Sequence, residues 1–187
     1  KAALFVGLLF LISFIGHAQL QGNYSIDTTG TNFNGNPSGV SGKNYTSINN
    51  AVTALQSFGV SGPVVFNIAP GTYYEQVLIP DITGASNINK IVFQSANGDS
   101  TSVNIEYYNT TSYNDYVIFL NQADHIIIRN ISVTASNPTR GSAIEIGFRS
   151  DSNEISNCRV MVNSTYRYGN GICLYTGYYS NNGGNVI

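Results

Sequence analysis

The chain has 187 residues, a formal net charge of -2, and only a tenth of its residues are charged. Nineteen Gly, thirteen Tyr and many Asn, Ser and Thr take the place of charge, a composition that suits short strands between frequent turns. The eight Lys and Arg form no run in the sequence, so the basic stripe that nucleic acid requires is lacking and no nucleic-acid partner is expected.

Lys1 is followed by an apolar run from Leu4 to Ile15, and small residues stand at Gly16 and Ala18. A charged start, a short apolar stretch and small residues at the exit define a secretory signal over 1–18, cleaved after Ala18. The run is shorter than the roughly 18 apolar residues a spanning helix needs, so no membrane span is expected once the signal is removed. Loss of Lys1 takes the net charge from -2 to -3. The protein is expected to be secreted or held at the cell surface. The chain starts with Lys1 rather than Met, and Asn185-Val186-Ile187 reads as a strand just begun. Both ends are therefore expected to be truncated, with further domains of the same chain elsewhere.

Residues 19–43 are polar, rich in Gly and Asn, and without periodicity, so an irregular N-terminal segment is expected. Residues 44–187 read as one domain. In its first stretch Ile48, Ala51, Val52 and Leu55 recur at helical spacing, with Thr46 or Ser47 to cap the start and Gly59 to stop it. Pro63 to Ile68 reads as a buried strand, Ala69 to Thr72 as a turn, and Tyr73 to Ile79 as a strand closed by Pro80. Ile91 to Gln94 and Ser102 to Ile105 continue the pattern. No helical periodicity interrupts these strands, which excludes a doubly wound α/β sheet.

An internal repeat decides the architecture. Val117-Ile118-Phe119 aligns over Ile144-Glu145-Ile146 and Ile172-Cys173-Leu174, at offsets of 27 and 28 residues. The first offset also places Asp124 on Asp151, Ile128 on Ile155, Asn130 on Asn157, Ile131 on Cys158 and Val133 on Val160. Each unit is strand, polar turn, strand, Asn, strand and loop. One such unit cannot bury its apolar face alone, whereas stacked coils make a continuous core. The expected fold is all-β, a right-handed parallel β-helix (a solenoid) with a short N-terminal capping helix, incomplete at its C-terminal end. Asn130 and Asn157 fall at successive corners, where their amides are expected to bond each other in a ladder.

Two stretches carry a resemblance. Asn44 to Val52 followed by Val64 to Val77, with Pro70-Gly71-Thr72-Tyr73-Tyr74-Glu75, resembles the opening of pectinesterase-like β-helix proteins, in which a short helix caps the first coil. Residues 82–105, with Thr83 to Ser86 and Phe93 to Ser100, look like the large exported β-helix proteins of Bacteroidetes-type bacteria. The resemblance implies the fold and a surface-bound or secreted protein. The enzymes' Gln-Ala-Val-Ala and Asp-Phe-Ile-Phe-Gly segments have no match here, so no catalytic residue is carried over.

Candidate chemistry is sparse. Asp124 and Asp151 are expected one strand spacing apart, where they could bind calcium or act as an acid/base pair, or simply accept N–H groups of their own turns. Glu145, between inward Ile144 and Ile146, should point outward, with Ile118 and Cys173 as its equivalents. Arg149 and Arg129 could neutralise an acidic sugar. Tyr107, Tyr108, Tyr113 and Tyr116 precede one coil, and Tyr166, Tyr168, Tyr175, Tyr178 and Tyr179 crowd a later one, where rings with a hydroxyl handle can stack on sugars. Cys158 and Cys173 could bridge only if their side chains converge. No cofactor and no metal-ligand spacing are read, calcium apart. Two functions fit: a secreted or cell-surface module that binds polysaccharide or a cell-surface glycan, or builds an adhesive surface; and, alternatively, a pectinesterase- or lyase-like enzyme on acidic polysaccharide.

Overall fold

The computed structural model describes residues 19–35, 42–108, 115–163, 169–175 and 183–187. The opening elements are β1 (Leu20–Ile26), β2 (Asn44–Tyr45) and α1 (Ile48–Phe58). Four coils of three strands follow. They are β3 (Val60–Ile68), β4 (Gly71–Tyr74) and β5 (Val77–Pro80); then β6 (Ile91–Ser95), β7 (Val103–Tyr107) and β8 (Tyr116–Asn121). The third coil is β9 (Ile126–Arg129), β10 (Ser132–Ala135) and β11 (Gly141–Gly147), and the fourth β12 (Glu154–Ser156), β13 (Arg159–Val162) and β14 (Gly169–Tyr175). Each coil gives one strand to each of three sheets: A, ordered β12-β9-β6-β3-β1-β2; B, ordered β13-β10-β7-β4; and C, ordered β14-β11-β8-β5. Among the described residues every pairing is parallel, and the chain winds as a right-handed parallel β-helix.

Inward side chains stack in columns. In sheet A, Tyr24, Phe66, Phe93, Ile128 and Ile155 lie one above another. The Phe66 and Phe93 rings are stacked, with centroids 4.9 Å apart. Sheet B contributes Tyr73, Ile105, Val133 and Val160, and sheet C Val77, Ile118, Ile144 and Ile172. A strand of four residues buries too little by itself, and the stacking of like on like turns such strands into one core.

Helix α1 covers the N-terminal end through Ile48, Ala51, Val52, Ala54 and Leu55. Ser47 caps it by accepting the Asn50 N–H, and the Glu75 carboxylate accepts the Ile48 and Asn49 N–H groups at 3.0 and 2.9 Å. An anion there meets both the free donors and the positive end of the helix dipole. The Tyr73 hydroxyl lies 3.1 Å from the Ile26 carbonyl and 2.9 Å from that of Ala69. Tyr and Glu of the Pro-Gly-Thr-Tyr-Tyr-Glu turn thus hold helix, lead-in strand and first coil together. Gly59 ends α1 at φ 66, where a Cβ would stand 2.6 Å from the Thr83 carbonyl oxygen, so only glycine fits.

Three expectations are corrected. Residues 20–26, expected to be irregular, form β1 between β2 and β3 in sheet A. Leu20, Tyr24 and Ile26 point inward, but Gly22, in phase between them, has no side chain to mark the alternation that would have revealed the strand. Tyr73 to Ile79 is two strands in different sheets, because Glu75 turns aside to cap α1. The offset is 27 residues between β9 and β12 and between β10 and β13 but 26 between β8 and β11, where Ile118 pairs with Ile144 and Leu120 with Ile146. The partner of Glu145 is therefore Phe119, not Ile118. The turn after β11 holds the additional residue. Phe148, Arg149 and Ser152 take left-handed φ there, at 51°, 69° and 58°, where the turn below has two such residues, Gln122 and His125, at 58° and 60°.

Candidate functional site

The corner between sheets C and A is built by polar side chains that reach from one coil to the next. Asp124 Oδ1 accepts the Asp151 N–H at 2.6 Å, and Asp151 Oδ1 accepts the Gly183 N–H. The stacked aspartates thus serve the turn of the following coil rather than their own. Fully buried Ser150 accepts the Ala123 N–H at 3.1 Å and aims its hydroxyl at the Leu120 and Gly147 carbonyls. Asn153, 1% exposed, accepts the Ile126 N–H at 2.9 Å and donates to the Ala123 carbonyl at 2.8 Å. Asn185 repeats the motif one coil later, accepting the Asn153 N–H and donating to the Ser150 carbonyl, each at 2.9 Å.

Asn130 and Asn157 do occupy equivalent corners, with φ of 56° and 52°. Among the described residues no hydrogen bond joins their amides; the Asn130 N–H goes to the Ser156 carbonyl at 3.2 Å. Asn tolerates the left-handed turn there, while the inter-coil Asn bonds run through Asn153 and Asn185.

The outer face of sheet C carries a different arrangement. Leu78, Phe119, Glu145 and Cys173 form one row across its four strands. The Tyr116 ring centroid lies 5.1 Å from that of Phe119, and Phe148 adds a third ring at 6.0 Å. Phe148 is 42% exposed and Leu78 40%, so the row is a shelf that solvent reaches. Glu145 is half-buried beside it. Burial pushes its carboxyl above the ordinary range; a Ser142 hydrogen bond opposes this and the Asp115 charge adds to it. Burial likewise raises the Tyr116 hydroxyl, with Glu145 and Tyr107 adding to the effect. The Cys173 thiol is raised by burial and then by Glu145 and Asp115. Aromatic faces of this kind stack on the apolar face of a pyranose, and a carboxyl alongside accepts its hydroxyls.

Glu145 and the aspartates Asp124 and Asp151 belong to different places, the sheet face and the corner. Arg149 sits on the left-handed turn beside Phe148. Tyr175 ends β14 in register with Gly147; Tyr113, Tyr166, Tyr168, Tyr178 and Tyr179 lie outside the described residues, as does the 1–18 segment. Cys158 and Cys173 are both free thiols. Among the described residues no three His, Cys, Asp or Glu side chains meet as metal ligands, and no helix is long and apolar enough to cross a membrane. Sequence reading missed the shelf because Phe119 aligned inward at an offset of 27. Testing 26 for that strand would have placed it over Glu145.

No family pattern matches the sequence, and no curated protein matches it. Among solved structures, the crystal structure of the pectin methylesterase from Aspergillus niger, in deglycosylated form, is similar with a TM-score of 0.53 at 14% identity. The match covers 87% of this chain and 54% of that one, so the chain spans about half the enzyme's length. At that identity the likeness shows the fold.

Proposed function

We propose that this β-helix is a secreted or cell-surface module that binds polysaccharide along the outer face of sheet C. The observation that carries the reading is the contiguous ring set Tyr116, Phe119 and Phe148, with Phe148 open to solvent beside half-buried Glu145. An exposed ring backed by two further aromatics, next to a hydrogen-bonding carboxyl, suits a sugar ring better than a flat protein partner. A panel of neutral and acidic polysaccharides, followed at once for retention of the chain and for product release, tests it. Retention without products is expected, and absence of retention on every polymer would refute it.

The alternative is a carbohydrate-active enzyme of pectinesterase or lyase type. The raised Glu145 carboxyl with Asp115 nearby favours it, since a carboxyl that holds its proton more tightly than usual suits the role of a general acid. The fold likeness to a pectin methylesterase adds support. Product release that Glu145→Gln abolishes would establish this reading over the first.

A further inference from the structure

Lys90, His125 and Arg129 are scattered in the sequence, yet coil stacking carries them all to sheet A. One outward row of that sheet is Val65, Val92, Ile127 and Glu154; the next is Asn67, Gln94, Arg129 and Ser156. A groove of about 220 Å³ opens where the first row meets the corner, with Asn87, Lys90, His125, Ile127 and Glu154 among its walls. The corner fixes His125 at φ 60: its N–H donates to the Asp151 carbonyl and its own carbonyl accepts the Ile91 N–H. Beside the groove, Gln94 Oε1 accepts Arg129 Nε–H at 2.8 Å, and Gln94 Nε2 donates to Asn67 Oδ1 at 2.8 Å. This chain of bonds holds the guanidinium along the sheet. Glu154 Oε1 accepts the Ser156 hydroxyl at 2.7 Å. Among the described residues no ion pair joins Glu154 to Lys90, His125 or Arg129.

Opposite charges that share a groove without meeting select a ligand that bridges them. A bare anion would face the Glu154 carboxylate, and a hydrocarbon would leave the polar walls unsatisfied. A sugar ring meets all of them. Its apolar face covers Ile127, its hydroxyls donate to Glu154, and an oxyanion substituent accepts from Lys90, His125 and Asn87. We infer that this groove is a subsite for a sugar residue bearing an oxyanion, either a sulfate ester or a carboxylate. The inference rests on the polysaccharide reading and names the charge of the polymer. The turn from Phe148 to Glu154 borders the aromatic shelf at one end and the groove at the other, so one polymer chain crossing the corner reaches both.

The test measures binding of the full chain to dextran, dextran sulfate and polygalacturonate. The wild type is compared with Lys90→Gln/His125→Gln, with Phe148→Ala, and with Lys43→Gln as a control for loss of an exposed charge elsewhere. The Lys90/His125 double variant should bind the charged polymer about tenfold or more weakly, while Lys43→Gln leaves binding unchanged. Loss confined to dextran sulfate identifies the sulfate ester, and loss confined to polygalacturonate the carboxylate. Equal binding of both charged polymers by wild type and double variant overturns the subsite; if Phe148→Ala still weakens binding, the shelf stands. Charged-polymer binding that depends on Lys90 and His125 but not on Phe148 supports the groove and refutes the shelf. No binding of either charged polymer by the wild type overturns the subsite.

Discussion

Replacing Asn153 with Ala tests whether inter-coil side-chain bonds hold the corner of the helix. The side chain is 1% exposed and serves two backbone groups, the Ile126 N–H and the Ala123 carbonyl, which lose this buried partner once it is gone. Each buried orphan costs about 1–3 kcal/mol, so the substitution should cost about 2–6 kcal/mol in all. For a domain of this size that is a fall in Tm on the order of 10 °C. The assay is urea unfolding followed by circular dichroism, read at the midpoint. Asn130→Ala serves as the comparison: among the described residues its amide makes no hydrogen bond across coils, and the cost there is that of a left-handed residue, about 1–2 kcal/mol. Asn130→Gly should recover most of it, whereas Asn153→Gly should not. A loss below about 1 kcal/mol for Asn153→Ala, or equal losses at the two positions, would refute the argument.

Glu75→Ala removes the acceptor for two N–H groups of α1 and should lower stability by about 1–2 kcal/mol, with Glu75→Gln milder; thermal melts check both. Burial pushes the Tyr73 hydroxyl up to about 12 from 10.0, with smaller contributions from Asp27 and Glu75. The unfolded chain therefore gives up that proton first, and stability present below pH 10 is lost as pH climbs toward 12. Tyr73→Phe should flatten this part of the alkaline slope, followed by tyrosinate absorbance, at a cost of about 0.5–1.5 kcal/mol at neutral pH for the lost hydrogen bond. For Glu145 the folded value also lies above the ordinary 4.5. Its share of stability is full below 4.5 and is lost as pH rises through the folded value. Glu145→Gln should thus match or exceed the wild type at neutral pH, and the wild type should gain on it as the solution is acidified, measured as urea midpoints.

Much of the architecture was legible because its signals are local or strictly periodic. Ile48, Ala51, Val52 and Leu55 announce α1, with Ser47 and Gly59 at its ends, and the repeat of short apolar runs announces stacked coils. What escaped depends on differences of one residue. Gly22 leaves a gap among the inward side chains of β1, and one added residue in the turn at Phe148 and Arg149 leaves β8 and β11 at an offset of 26 where β9 and β12 are at 27. That single slip is what conceals the shelf, because side chains alternate and a shift of one exchanges inner and outer faces. Asn130 and Asn157 matched in the alignment, but the residues that bond across coils, Asn153 and Asn185, are 32 apart and carry no fixed repeat. The groove walls Lys90, His125 and Glu154 lie in three different coils, so no linear pattern brings them together.

The most direct measurement of the central claim is the affinity of the chain for a retained polysaccharide, compared between wild type and Phe148→Ala. Phe148 is solvent-exposed, so its loss should leave the melting curve nearly unchanged while weakening binding about tenfold, as expected for removal of a stacking ring. Unchanged affinity with unchanged melting would contradict the account and remove the outer face of sheet C from the site.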